Sequence, residues 1–333
     1  MAERRVGQLS FADGEVVAAG GSSTALERVA RLVDWAPIER LLAPLRSGPM
    51  GAPGYPALML FKALVLQRWY ALSDPALEEG LMDRLSFRRF LGLSLSDPIP
   101  DHVTLWRFRE SLKDGLCEQL FGEIGRQIET RGFVLKQGTL IDASLIPAAV
   151  NKPPRPPGTA ADDGEGGRAP SKLVGSEHDP DAAWTKKDGS YHFGYKLHLG
   201  MDRISRIVRG LVLTPANINE SAVADALICG DEQQVYADKA YDSHERSRRL
   251  DAMGIANGIM RRGHRSRPLT AAERARNAGL AKVRGAIEPL FALIKNVHGL
   301  SRARYRGLAR NACAFHLAAI ANNLKRWASA APA

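Results

Sequence analysis

The sequence predicts an all-helical segment over residues 20–130 followed by an α/β unit, so we place two domains at 1–135 and 136–333. Three observations carry this. Apolar residues recur at helical spacing up to about residue 130, the spacing shortens to the two-residue period of strands after residue 138, and the strand candidates are interspersed with helical stretches. With 333 residues, 45% of them hydrophobic and 25% charged, the chain is long enough for two ordinary cores.

The first helix is announced by Thr24 and Glu27, three apart in a capping-box spacing ahead of Leu26, Val29, Leu32 and Val33. Tyr55-Pro56 opens a second stretch through Tyr70, and Asp74-Pro75 opens a third carrying Leu77, Leu81 and Leu85, with Pro near each start where its missing N–H costs little. Asp101 is placed to cap a further helix through Trp106, Arg107, Phe108 and Arg109. Two readings fit that helix. Either it is the basic, aromatic-bearing element of a helix-turn-helix DNA reader, or Trp106 and Phe108 are core and Arg107 and Arg109 a solvated face.

Beyond residue 138 the strand candidates are Thr139–Ile146, His192–Met201, Ile204–Leu213, Val235–Asp238 and Ile255–Met260, with helices at Glu220–Ile228 and Ser243–Met253. Alternation through 195–199 sets Lys196 and His198 on the face opposite Tyr195, Leu197 and Leu199, so these two face either a ligand or solvent. Residues at about 151–181 are rich in Pro, Gly, Asp and Ala; such composition buries too little apolar area to offset chain entropy and predicts a mobile loop.

Three acids stand out within this frame. Asp142 interrupts the apolar run 139–146, and Asp238 ends the run Val235-Tyr236-Ala237. An ionised carboxylate at low dielectric costs several kcal/mol unless it is paired or coordinates a metal, so two of them on neighbouring strands suggest a cation site. The third, Glu288, lies in a helical stretch over 278–298, at the edge of the stripe Leu280, Val283, Ile287, Leu290, Phe291 and Ile294, within about 40° of Arg284 and Lys295 on the wheel. Pro289 predicts a kink or a restart there. Asp202, Asp225 and Asp242 are the competing acids: Asp202 begins a turn, Asp225 falls in a helix, and Asp242 is the main rival to Asp238.

Composition excludes several classes. No stretch approaches the roughly 18–20 apolar residues of a membrane helix, and the N-terminus lacks a signal-peptide core, so a cytoplasmic protein is expected. Cys117, Cys229 and Cys313 are scattered, without any Cys-x-x-Cys spacing, which argues against a disulfide framework or structural zinc and for core thiols. Net charge is +10, and it is concentrated: residues 239–333 hold 19 Lys and Arg against 5 Asp and Glu, while the first 238 hold 27 against 31. A positive surface of that kind suits a polyanion such as nucleic acid.

A first strand bearing Asp, two more strands, a helix, a fourth strand ending in Asp and a later helix bearing Glu is the order of acids in a ribonuclease H-like fold. The chain also resembles the DDE transposases of bacterial insertion sequences, specifically the insertion-sequence-five group. The matching stretches are Asp101–Arg109, Ile141–Ile146, Gly194–His198, Leu213–Asn217, Tyr236–Tyr241, then Arg284, Ile287–Phe291, Lys295 and Arg304–Leu308, in the family's order over about Tyr55 to Leu324. One departure is Ala281, where relatives often carry Tyr three residues before the Arg.

The resemblance implies a ribonuclease H-like α/β catalytic core, a mixed sheet flanked by helices, behind an all-helical N-terminal domain that binds DNA ends. It implies that Asp142, Asp238 and Glu288 hold two Mg²⁺ ions, with Mn²⁺ as substitute, about 3.5–4 Å apart for in-line phosphodiester hydrolysis and 3′-OH strand transfer. Lys196, His198, Lys239, Arg284, Lys295, Arg107 and Arg304 become candidate contacts to double-stranded DNA, transposon ends and target alike, and acting on two ends implies a homodimer or higher assembly on DNA. A nuclease or resolvase that stops after hydrolysis, a catalytically dead DNA-binding derivative and a basic structural or RNA-binding protein are the alternatives.

Overall fold

The change of hydrophobic period near residue 138 is close to where the molecule divides. In the computed structural model, which describes residues 4–8, 24–46, 54–150 and 179–330, the chain forms two compact units, Met1–Phe133 with Cys313–Ala333 as the first and Val134–Ala312 as the second. No helix among the described residues is long and apolar enough to cross a membrane.

The first unit is helical. Its elements are α1 (Ala25–Leu32), α2 (Trp35–Leu42), α3 (Ala57–Trp69), α4 (Asp74–Asp83), α5 (Leu85–Leu91), α6 (His102–Ser111) and α7 (Leu116–Thr130), joined by most of the closing helix Leu308–Ala330. Thr24 and Glu27 form the reciprocal capping box that their spacing predicts, and Asp101 accepts the Thr104 N–H at 2.7 Å. Helix α3 is apolar around nearly its whole circumference and is buried accordingly, with Phe61, Leu64, Val65 and Leu66 fully enclosed.

The closing helix has the same character: Phe315, Leu317, Ile320 and Leu324 are fully buried. A helix without a broad polar face needs helical neighbours on several sides, which a sheet flank does not supply. This helix therefore groups with the first unit, whereas the sequence boundaries put all of 136–333 together. Arg28 Nε donates to the Ala328 carbonyl at 2.8 Å, and the Lys325 ammonium lies 5.8 Å from the centre of the Trp69 ring.

Two expectations change in this unit. Cys117 and Cys313, both buried and read from sequence as core thiols, are joined as a disulfide between α7 and the closing helix; sequence separation of 196 residues hides such a pairing. In α6, Phe108 is core, but Trp106 is 47% exposed and Arg109 is 4% exposed, its guanidinium bonded to Asp74 and to Gln67 Oε1. The Trp and one Arg thus exchange the places assigned by the core-plus-solvated-face reading. An Asp and a Gln on neighbouring helices let the buried guanidinium be satisfied.

The second unit is built on one six-stranded mixed sheet: β1 (Thr139–Pro147), β2 (Ala183–Lys187), β3 (Ser190–Asp202), β4 (Val208–Pro215), β5 (Gln234–Ala237) and β6 (Ala256–Ile259). β3 pairs antiparallel with β1 on one edge; on the other its first half takes β2 and its second half β4. β5 lies parallel to β1, and β6 parallel to β5. Helices α8 (Glu220–Val223), α9 (His244–Ala252), α10 (Ala271–Arg284) and α11 (Glu288–Ala292) complete it. Antiparallel β1, β3 and β4 followed by parallel β5 and β6, with β2 added beside β3 and helices in the crossovers, make the ribonuclease H-like core that the order of acids predicts.

The strand expected at Ile204–Leu213 starts later, because buried Asp202 organises a turn there. Its Oδ1 accepts from the Ile204 and Ser205 N–H groups and the Ser205 hydroxyl, and its Oδ2 from the Lys136 N–H. Gly200 and Gly210 pair across β3 and β4 where a Cβ on Gly200 would meet the Leu227 carbonyl oxygen at 3.0 Å. The helical crossover that begins at Glu220 can therefore lie close on the sheet. Strand β2 has no counterpart among the strands read from sequence. The predicted loop at about 151–181 lies outside the described residues up to 178, while Asp179 accepts from the Tyr195 hydroxyl at 2.7 Å and from the Gly307 N–H at 3.1 Å.

Candidate active site

Two acids are brought together by strand register. β1 and β5 run parallel with Thr139 opposite Val235 and Leu140 opposite Tyr236. Two residues beyond the last of these pairs come Asp142, within β1, and Asp238, directly after β5, and the Asp238 charge acts on Asp142. Asp142 Oδ1 accepts from the Ala143 N–H at 2.9 Å, and its Oδ2 accepts from Arg284 Nη1 at 2.6 Å. Asp238 directly follows β5 and caps the 3-10 turn Lys239–Tyr241, accepting from the Lys239 N–H at 2.6 Å.

The electrostatics of Asp142 fit a cation site. Burial pushes its carboxyl above the ordinary Asp value, and the negative charges of Glu220 and Asp238 push it further; the Ala143 N–H and the Arg284 guanidinium oppose them without cancelling them.

Arg284 and Lys295 come from the helical stretch that the apolar stripe predicts, interrupted as Pro289 requires. α10 ends at Arg284, a 3-10 turn covers Gly285–Ile287, and α11 restarts at Glu288 with Pro289 in its first turn, where no N–H is missed. Arg284 reaches Asp142, and Lys295 Nζ donates to Ser144 Oγ at 2.7 Å, so the two cations hold alternate residues of one face of β1. Burial and the neighbouring Lys187 charge lower the Lys295 pKa. Glu288 lies between them in sequence, four residues after Arg284 and seven before Lys295. It is exposed and makes no hydrogen bond or ion pair with the described residues. Beside Ser144 and Lys295 opens a cleft of about 550 Å³ whose lining includes Lys187 and His192.

Sequence reasoning missed two members of this cluster. Glu220, the first residue of α8, adds its charge to Asp142, and the charges of Glu220, Asp142 and Asp238 act with burial to raise the pKa of fully buried Tyr241. The only available signal was an acid in the first turn of a helix that follows a strand, and it is common for reasons of helix dipole alone.

The remaining candidates divide. Lys196 is on the face of β3 opposite the one Asp142 shares; it donates to the Ile218 carbonyl at 2.9 Å and lies 3.6 Å from Glu220. Lys239 and Arg304 are exposed on the second unit, and Arg107 is exposed on the first. His198 does not fit its expected role at phosphate. It is fully buried, its Nε2 is bonded to Thr214 Oγ1 at 2.9 Å, and burial with the Lys196 charge lowers its pKa to about 4, so it is neutral at pH 7. Alternation gave its face correctly but not that helices cover that face.

A depressed histidine pKa makes a testable contribution. His198 supports the fold fully above pH 6.5; as pH falls toward about 4, only the unfolded chain takes up the proton, and that support is lost. His198→Gln is expected to flatten the melting-temperature profile between pH 6.5 and 4, and an unchanged slope would refute the assignment.

The rival acids are otherwise engaged. Asp202 organises the β3–β4 turn, Asp225 pairs with Arg246 at 3.0 Å and Arg249 at 3.4 Å, and Asp242 accepts from the Arg262 N–H at 2.8 Å and from Arg261 Nη1 at 3.2 Å.

Against known families, residues 135–324 match the Transposase DDE domain and residues 19–111 match the Transposase domain (DUF772). No solved structure matches the chain.

Proposed function

From the chain's membership of the DDE transposase family, whose enzymes act on DNA and depend on a divalent metal, we propose that it cuts at the terminal inverted repeats of an insertion sequence of the insertion-sequence-five group and joins the freed 3′-OH to target DNA. Asp142, Asp238 and Glu288 are the proposed metal ligands. The observation that carries this reading is that β1 and β5 are parallel neighbours with Asp142 inside the first and Asp238 directly after the second, each two residues beyond the last register pair.

The donor chemistry of these residues fits such a metal, while their ligand atoms do not all lie within 4.8 Å of one another and Glu288 is exposed. Every donor is a carboxylate oxygen, which suits Mg²⁺ or Mn²⁺ over zinc. When bound, two ions supply charge stabilisation to the attacking and leaving oxygens of an in-line displacement. The chain's own groups do the rest. Arg284 fixes the orientation of Asp142, and Lys295, held by Ser144, stands with Lys187 at the adjoining cleft as a seat for backbone phosphates. Lys239, Arg304, Arg107 and Lys196 are further proposed DNA contacts, and an assembly of at least two copies on DNA follows from the need to handle two ends.

An assay with labelled terminal-repeat DNA, target DNA and Mg²⁺ tests the reading. Joined product is expected; cleavage without joining would support a nuclease or resolvase, and binding alone a DNA-binding derivative. Metal also has a stability signature. Because folding raises the Asp142 pKa, its ionisation disfavours the fold, a penalty absent below pH 3.8 and complete once pH exceeds the folded-state value. Asp142→Asn is therefore expected to melt higher than wild type at pH 7 without metal, and millimolar Mg²⁺ to raise the melting temperature of wild type only. Equal Mg²⁺ shifts in both proteins would contradict the assignment.

A further inference from the structure

We propose that the turn 300–307 is a docking surface for the phosphate backbone of double-stranded DNA, carried by Arg302, Arg304 and Arg306 and continuous with the cleft beside Ser144 and Lys295. The inference rests on the reading that this cleft seats DNA, and it extends the contact along the backbone.

Its first support is charge. Residues 289–312 hold Lys295, Arg302, Arg304, Arg306 and Arg310 and no Asp or Glu. Arg302, Arg304 and Arg306 fall at alternate positions, and all three are exposed. Two of them are held by carbonyl oxygens, which accept a hydrogen bond without neutralising the charge. Arg302 Nε donates to the Ala148 carbonyl at 2.6 Å and its Nη2 to the Val150 carbonyl at 2.8 Å, while Arg304 Nε donates to the Gly299 carbonyl at 3.2 Å. Like charges gathered in so short a stretch repel one another, and a polyanion relieves that repulsion.

The second support is that the turn is fixed by side chains of its own. Asn311, 1% exposed, donates from Nδ2 to the Tyr305 carbonyl at 2.7 Å and the Gly307 carbonyl at 2.8 Å, and its Oδ1 accepts from the Tyr305 N–H at 3.2 Å. The Ala303 N–H donates to the Pro147 carbonyl at 2.9 Å, which ties the turn to the end of β1. The acids that meet the end of the turn, Asp179 and Asp181, accept from the Gly307 and Leu308 N–H groups at 3.1 and 2.8 Å, so they serve the start of the closing helix. A backbone held in this way loses less entropy when its arginines engage a ligand.

The third is continuity. Ser301, directly before the first of these arginines, lines the cleft with Pro147, Ser144 and Lys295, and Lys187 of β2 lines it too. Lys295 donates to Ser144, two residues beyond Asp142 on the same face of β1. A backbone seated at Lys295 and Lys187 therefore meets the arginines as it passes Ser301. Phosphates carry no base identity, so the surface takes duplex DNA of any sequence.

The test is fluorescence anisotropy of the full-length protein, over a salt series, with a labelled terminal-repeat duplex and with an unrelated duplex of equal length. Each arginine that meets a phosphate contributes about 0.9 to the slope of log affinity against log salt. The double variant Arg304→Ala/Arg306→Ala is expected to lose about 1.8 of that slope on both duplexes while melting within about 2 °C of wild type, as exposed substitutions do. Arg248→Ala, which removes an exposed charge from α9, is expected to keep the wild-type slope. A wild-type slope in the double variant overturns the docking surface and leaves the reading of the cleft standing. An equal loss in Arg248→Ala would show a general charge effect, and a loss on the terminal-repeat duplex alone would show base reading; either overturns the proposal. Wild-type protein whose binding to both duplexes is insensitive to salt overturns the reading of the cleft as well.

Discussion

Asp142→Ala is expected to abolish strand cleavage and strand joining together while DNA binding stays within a few-fold of wild type. Both reactions are in-line displacements at phosphorus and use one set of carboxylates, so one substitution removes both. A metal contributes several kcal/mol of transition-state charge stabilisation, and at 1.36 kcal/mol per tenfold a loss of about three orders of magnitude follows. The fold tolerates the change because the Asp142 carboxyl is ionised at a cost in the metal-free protein, and its partner Arg284 is 22% exposed, within reach of water. Cleavage and joining would be measured on labelled terminal DNA and binding by gel shift. Cleavage retained at wild-type rate would sink the assignment of Asp142, and loss of binding in parallel would point to misfolding.

Arg246→Ala is expected to be the largest stability loss among surface-remote substitutions in the second unit. The guanidinium is buried and satisfies the carbonyls of Ser221 and Tyr241, the Ser221 hydroxyl and the Asp225 carboxylate. Hydrogen bonds to charged groups contribute about 1.5–3 kcal/mol each, though solvent recovers part of the one to half-exposed Asp225. A net loss of about 3 kcal/mol corresponds to roughly 6–12 °C in melting temperature for a unit of this size. Arg246→Lys recovers little, since a single ammonium cannot span acceptors on both α8 and the turn after β5. A melting temperature within about 2 °C of wild type would show that the contact between α8 and that turn is held by something else.

How much was readable varied with how local the cause was. The Thr24–Glu27 capping box, the Asp101 cap and the restart at Pro289 depend on residues within four positions of each other, and each is found where the spacing puts it. The acids Asp142 and Asp238 were conspicuous because a carboxylate inside an apolar strand is costly wherever the strand goes. His198 went the other way: alternation fixed its side of β3 but not that this side is covered, and only that cover makes the ring neutral. Trp106 and Arg109 exchanged expected places because a partner for a buried guanidinium, Asp74, lies 35 positions away.

By itself the sequence determined most of the element types, though not strand β2, the order of the acids along them and, through motif order, the family. These follow from periodicity, capping and composition, all of which act within a few residues. Tertiary structure alone decided that β1 and β5 are parallel neighbours, that Cys117 meets Cys313, that the last helix joins the first unit, and that the Arg284 guanidinium meets Asp142. Each of those depends on register or on a buried side chain bridging segments that are distant along the chain. Such contacts are set by shared burial and shared hydrogen bonds, and a one-dimensional pattern does not encode which distant segment supplies the other half.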